Sequence, residues 1–146
     1  MTGLVVRKPA PSDRAGWDHL YAGYAAFYRV DQTPAMRDTV WSWIITGQIE
    51  ARVAEGADGL IGLAHFRAFR RPLSASVGGF LDDLFVDPAA RGSGAAQALI
   101  DAVAAHGRAQ GWSMIRWITA DDNYRARSAY DRVADRTAWV TYDIKL

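Results

Sequence analysis

The chain contains no cysteine among its 146 residues, and that absence removes several chemistries together. Disulfides, thiolate metal ligands and a cysteine nucleophile are all excluded. Long apolar runs are missing as well. No stretch approaches the roughly 20 apolar residues that span a bilayer, and the opening MTGLVVRKPAPSDR lacks the apolar core of a signal peptide. Charge of one sign is scarce, because 17 Lys and Arg face 16 Asp and Glu for a formal net charge of +1. No broad basic field argues for nucleic acid or a membrane surface. His19, His65 and His106 stand apart, without a carboxylate or second histidine at ligand spacing, so no metal site is expected. These exclusions are compatible with a cytoplasmic location, and 146 residues fit a single domain over residues 1–146, long enough to bury a proper core. Half of the residues are apolar, and six Trp with six Tyr supply large anchors for that core.

The apolar period changes along the chain. GLVVRKP reads as a short strand, ended by Pro9 and Pro11. Ser12 is placed to cap a helix in which Trp17, Leu20, Tyr21, Tyr24, Phe27 and Tyr28 recur at helical spacing. Thr33-Pro34 opens a second helix carrying Met36, Val40, Trp43 and Ile44 and stopping near Gly47. IEARVAE and GLIGLAHFRAF are two strands joined by the turn from Gly56 to Gly59, and VGGFLDDLFVD is a third. A helix with Ala96, Leu99, Ile100 and Val103 on one face follows and ends near Gly111. SMIRWITA is then a strand, NYRARSAYDRVA a short helix, and TAWVTYDIK a closing strand with Ala138, Val140, Tyr142 and Ile144 alternating against polar neighbours. A strand-helix-strand unit from Phe80 to Thr119 makes a parallel crossover after an antiparallel meander. The expected fold is α/β: a mixed, mostly antiparallel central sheet with helices on both faces.

The chemistry concentrates in LFVDPAARGSGAAQALI, residues 84–100. A helix N-terminus has backbone N–H groups without intrahelical partners and a partial positive charge. Glycines there let phosphate oxygens approach those groups. Gly92 and Gly94 supply the clearance, Ser93 a hydroxyl, Arg91 a full charge, and Ala95 and Ala96 keep the profile narrow. The same residues would also serve a plain strand-helix turn. No G-x-x-x-x-G-K-[ST] is present, and Gln97 stands where a dinucleotide-binding G-x-G-x-x-G needs its third glycine.

Arg91, Gly94 and Ala96 form R-x-x-G-x-A, which resembles the pyrophosphate-binding motif of the Gcn5-related N-acetyltransferases, [QR]-x-x-G-x-[GA]. LDDLFVDPAARGSGAAQALI is similar to that family's strand-loop-helix signature, and NYRARSAYDRVA to its second signature. The element order agrees too, so the resemblance covers essentially the whole chain. YAAFYRV, LDDLFVDPAARG and YDRVADRTAWVTY look most like the subgroup of histone- and D-amino-acid-type acetyltransferases. Departures occur at Ala95 and Ala96, at Ala129 where Leu or Phe is usual, and at Thr137-Ala138-Trp139 where glycine-phenylalanine is often found.

The resemblance implies acetyl-CoA as cofactor and a splayed parallel strand pair that receives it. Leu84, Phe85 and Val86 would pair with the pantetheine amides, Arg91 to Ala96 would cradle the pyrophosphate, and Asn123 would bond the pantetheine arm besides capping its helix. Tyr130 corresponds to the family's general acid, and Asp82 to the acidic base of related diamine acetyltransferases. Acetyl transfer to an amine with a pKa near ~10.4 demands such a proton acceptor. It also demands an N–H for the oxyanion and a donor for the leaving thiolate. Strand alternation sends Asp82 and Asp83 to opposite faces, leaving Asp83 to orient substrate or to a structural role. Tyr24, Phe27, Tyr28 and Asp31 form an aromatic and acidic group suited to a cationic amine, or simply pack in the core.

Two functions are carried forward. One is an N-acetyltransferase moving the acetyl group directly to a small amine or a lysine side chain. The other is a non-catalytic CoA-binding sensor of the same fold. Neither needs nucleic acid or membrane, and the closing strand leaves room for a homodimer.

Overall fold

The structure, a computed structural model, describes residues 3–146. Five strands lie in the order β1-β2-β3-β4-β5: β1 Val5–Arg7, β2 Glu50–Gly56, β3 Gly59–Arg71, β4 Ser76–Val86 and β5 Ile115–Arg116. The first three pairings are antiparallel and β4 runs parallel to β5. The helices are α1 Arg14–Phe27, α2 Pro34–Ile45, α3 Ala95–Gln110 and α4 Tyr124–Tyr130. The expected α/β architecture is thus present, with both sheet faces covered. Among the described residues no helix is long and apolar enough to cross a membrane.

Two apolar layers follow from strand alternation. On one face Trp17, Leu20 and Tyr21 of α1 pack on Val53 and Leu63, with Val40, Trp41 and Ile44 of α2 behind them. On the other, Leu99 and Val103 of α3 pack on Ala54, Ala64, Phe66 and Leu81. Each such side chain removed from water contributes about 1.5–3 kcal/mol. The fully buried stripe of α3 is Ala95, Leu99, Val103 and Gly107, at i,i+4 spacing, while Ala96 and Ile100 lie half-buried beside it. In α2 the packing face is Val40, Trp41 and Ile44, whereas Met36 and Trp43 are exposed.

Capping decides the helix starts. Thr33 Oγ1 accepts from the Met36 N–H at 3.2 Å, with Pro34 at the first helical position, as the sequence predicts. Ser12 does not cap α1. It lies inside a 3₁₀ turn over Pro11–Asp13, and Asp13 takes the N-cap position, its carboxylate accepting from the Ala10 N–H and the Arg7 guanidinium.

Three expectations need correction. Asp82 and Asp83 do not sit on opposite faces. His65 pairs with Asp83 and Phe66 with Leu81, so Asp82 is an extra residue, a β-bulge that resets the alternation of β4. SMIRWITA contributes only Ile115–Arg116 to the sheet. The closing strand is absent: residues 137–146 are exposed and have no regular structure or hydrogen bond among the described residues. Alternation establishes that a segment suits a sheet, not that a partner edge reaches it.

Candidate active site

β4 is paired with β3 along its whole length but with β5 only at Gly79 and Phe80. Gly79 permits that junction, since a Cβ there would lie 2.8 Å from Ile115 Cδ1 and closer still to the Trp112 ring. Past Phe80 the parallel strands part, and the outer side of β4 over Leu84, Phe85 and Val86 has no strand partner among the described residues. Amides and carbonyls there are free to pair with an extended amide-containing chain.

The chain leaves β4 through a 3₁₀ turn at Pro88–Ala90, where Asp87 caps the Ala89 N–H at 3.0 Å. Gly92 and Gly94 follow with φ of 81° and 84°, a region that side chains rarely adopt, and their Cβ directions face open space. The turn leaves several backbone N–H groups unbonded among the described residues. Those of Gly92, Gly94, Ala96 and Gln97 have no acceptor among the described residues. Ser93 Oγ accepts from the Ala95 N–H at 3.3 Å, and its own hydrogen remains available to donate. Arg91 is exposed and pairs with no carboxylate among the described residues. A cluster of unpaired N–H groups, a guanidinium and a helix N-terminus fits a pyrophosphate.

α4 stands across the opening. Asn123 caps it, Oδ1 accepting from the Ala126 N–H at 3.4 Å. Tyr130 ends it, its ring edge-on to Trp117 at 5.4 Å. Burial pushes the Tyr130 phenol above its ordinary value, with the Tyr28 hydroxyl adding to the effect, so it holds its proton at neutral pH. Tyr28 lies at the end of α1, its ring tilted against that of Tyr24 at 4.9 Å and half exposed. Tyr24 packs edge-on to Phe85 at 5.6 Å, which brings the aromatic end of α1 against β4. Asp31 is exposed on the loop between α1 and α2.

The two carboxylates share one cavity of about 280 Å³, lined among others by Tyr21, Trp43, His65, Arg67, Asp82 and Asp83. The bulge makes this possible. Asp82 is paired with Arg67, whose Nε donates to both carboxylate oxygens at 3.0 and 3.3 Å. Burial raises the Asp82 pKa, and Arg67 only partly offsets that rise. Asp83 is more enclosed and better served: Tyr21 donates to Oδ2 at 2.8 Å and His65 Nδ1 lies 2.8 Å from the same oxygen. Burial pushes Asp83 up, but the bonds from His65, Tyr21 and Tyr24 outweigh it, and its pKa falls below the ordinary value. Neighbouring carboxyls are thereby driven apart in acidity.

His65 was not singled out by the sequence, where it is one histidine in an apolar strand. It is buried, and its Nε2 accepts from the Trp17 indole at 2.9 Å. An indole only donates, so the hydrogen of this imidazole resides on Nδ1, facing Asp83. A wider groove of about 670 Å³ lies by Arg14, Asp18 and Asp38, whose charges are already paired with one another.

A sheet opened between parallel strands above a glycine turn and a helix N-terminus is the arrangement that the resemblance to the Gcn5-related N-acetyltransferases implies. Residues 17–134 match the model of the acetyltransferase (GNAT) family, and the chain belongs to that family. It is 27% identical over 143 residues to the D-amino-acid N-acetyltransferase HPA3 of Saccharomyces cerevisiae, covering 95% of this chain and 89% of that protein. Its fold is that of a ribosomal-protein-alanine N-acetyltransferase from Brucella melitensis, with TM-score 0.83, 22% identity and coverage of 98% and 99% of the two chains. The aminoglycoside N-acetyltransferase AAC(6')-Iy in complex with CoA superposes with TM-score 0.85 at 19% identity, over 99% of this chain and 96% of that one.

Proposed function

We propose that this acetyltransferase moves the acetyl group of acetyl-CoA directly to the primary amine of a small molecule, amino acids foremost, with a lysine side chain as the macromolecular counterpart. The parting of β4 from β5 just before the glycine turn carries this reading, because one continuous path then serves pantetheine and pyrophosphate. Leu84, Phe85 and Val86 lie along the first part of that path, Arg91 to Ala96 form the second, and Asn123 borders it. Bound acetyl-CoA supplies an activated acetyl thioester. With no cysteine in the chain, no thiol of the protein can carry the acetyl group between donor and acceptor.

The chain's own residues divide the remaining work. Asp83, held ionised, attracts the acceptor's ammonium, with Tyr28 and Asp31 toward the outside. Asp82, with its raised pKa, is the better proton acceptor, directly or through water. Tyr130 keeps its phenolic proton for the leaving thiolate. The Nη atoms of Arg67 bond to no acceptor among the described residues, which leaves a guanidinium fork at the cavity for a carboxylate. An ammonium site beside a carboxylate site suits a zwitterionic amino acid, in keeping with the activity of the yeast relative.

The test is release of free thiol from acetyl-CoA against D- and L-amino acids, diamines, aminoglycosides and lysine peptides, with calorimetric titration of acetyl-CoA beside it. Binding with thiol release on amino acids is the expected result. Binding without turnover on any amine would make the protein a CoA sensor, and no binding would overturn both readings.

A further inference from the structure

Two tryptophans of α2, Trp41 and Trp43, have different fates. Trp41 packs on the fully buried Trp17, with ring centroids 5.0 Å apart. Trp43 is 41% exposed, meets no other aromatic ring, and donates its indole N–H to no acceptor among the described residues. It lines the cavity that holds Asp82 and Asp83. A side chain with about 150–250 Å² to bury is thus neither part of the core nor matched by a polar partner.

The end of α2 fixes the backbone at this ring. Gly47 has φ of 76°, which turns the chain back, and the Trp43 carbonyl accepts both the Gln48 N–H at 2.8 Å and the Ile49 N–H at 3.3 Å. Ile49 is thereby tied to Trp43, and Val40, three residues earlier on the same face, joins them as an uncharged wall of the cavity. The sheet register orders the opposite groups. Glu50 pairs with Phe66, so Ile49 enters on the β2 side next to Arg67 of β3, and Asp82 and Asp83 of β4 come after. Apolar wall, guanidinium and carboxylates therefore succeed one another across a single cavity, with the outer side of β4 farthest from the wall.

We propose that Trp43, with Val40 and Ile49, receives the side chain of the acceptor, and that this side chain is apolar and uncharged. The inference rests on the amino-acid reading above. An amine at the carboxylates and a carboxylate at Arg67 leave the remaining large substituent of the α-carbon toward α2. A cationic side chain would find an indole face there but no carboxylate on the wall, since the adjacent Glu50 is paired with Arg52 at 3.5 Å. Taking such a charge out of water without a partner is unfavourable. The volume agrees: about 280 Å³ lies below the roughly 300–1,000 Å³ of pockets that enclose drug-sized molecules. It suits one amino acid rather than an oligosaccharide.

The test compares kcat/KM, by thiol release from acetyl-CoA, for glycine, alanine, leucine, phenylalanine, lysine and glutamate, in both enantiomers where they exist. Leucine and phenylalanine should exceed alanine by at least about 10-fold, the scale on which an apolar pocket reads added methylenes, and should also exceed lysine and glutamate. W43A should bring leucine down to the level of alanine, with acetyl-CoA affinity unchanged in calorimetry. W43F should keep most of the preference. I45A, at a position 65% exposed and away from the cavity, should keep all of it. A flat series in the native protein, a preference for lysine, or a leucine advantage that survives W43A would overturn the subsite and leave the amino-acid reading in force. Absence of thiol release with every amino acid would overturn that reading and the subsite together.

Discussion

The indole of Trp17 has one polar hydrogen and no acceptor, and that fact propagates through two hydrogen bonds to the cavity. His65 Nε2 takes the hydrogen bond, Nδ1–H is left to face Asp83, and Asp83 is held as an anion in a largely apolar wall. The sequence carries Trp17 and Asp83 without linking them, since residues 48 and 18 positions from His65 meet it only through the packing of α1 on the sheet and the register of β3 with β4. D83N keeps the hydrogen-bond acceptor and loses the charge. KM for cationic acceptors should therefore rise about 10-fold, roughly 1.4 kcal/mol, with the acetyl-CoA affinity unchanged in titration. R67M should raise KM for amino acids by a similar factor and leave diamines unaffected, a steady-state comparison that tests the carboxylate site directly. Y130F should lower kcat by about 100-fold, the lower end for loss of a general acid, with acetyl-CoA binding intact. The pH dependence has a definite sign. A base must be ionised, and Asp82 has its pKa raised by burial. Hence kcat/KM should fall as pH drops through that raised value, and D82N should lose both this limb and most of the rate. Stability depends on Asp83, whose shift is the reverse of that of Asp82 but whose contribution is likewise lost on acidification. Its folded pKa lies below the unfolded value, so its contribution is complete above the unfolded pKa of about 3.9 and is lost as pH falls through the depressed one.

Elements place those residues, and two glycine positions control the placement. Gly79 lets β4 and β5 touch before they part, and a methyl group there would collide with Ile115 and Trp112. G79A should cost about 1–3 kcal/mol in urea unfolding, the usual price of overpacking a close contact. G94A acts differently: there is ample space, but a φ of 84° strains any side-chain-bearing residue by about 1–2 kcal/mol. Re-aiming the loop amides should weaken acetyl-CoA binding about 10-fold by calorimetry, with kcat at saturation preserved. The glycine turn was legible from sequence because Arg91, Gly92 and Gly94 encode their own backbone geometry locally. α1, α2 and α3 were legible from period and caps, apart from Ser12, where a 3₁₀ turn moved the start to Asp13. The bulge at Asp82 was not legible, since it belongs to the pairing of two strands rather than to either one. Its consequence, two carboxylates in one cavity, is the feature on which the proposed acceptor chemistry depends most.

At the scale of the whole molecule the sheet has two unequal parts. β1 to β4 form a continuous antiparallel ladder sandwiched between the α1 layer and α3, with Trp17, Val53, Leu63, Phe66 and Leu99 fully enclosed. β5, α4 and the final segment hang on this body through two register pairs at Gly79 and Phe80 and through α3. None of the residues from 117 onward is fully buried. Opening free energies within a protein track this kind of difference in enclosure. The amides of β2 and β3 should therefore exchange with deuterium only through global unfolding, and those of α4 through a cheaper local opening. The path proposed for acetyl-CoA runs between the two parts, from the outer side of β4 past Asn123 and Tyr130. A ligand spanning that path binds the closed arrangement and not the opened one, and at 100-fold over its Kd it adds about 2.7 kcal/mol to the cost of opening. Hydrogen exchange with saturating CoA should accordingly slow α4 by about 100-fold while leaving α2, on the far side of the α1 layer, unchanged. Equal slowing of every helix would mean that CoA stabilises the molecule without bridging its two parts, and the path along β4 would have to be redrawn.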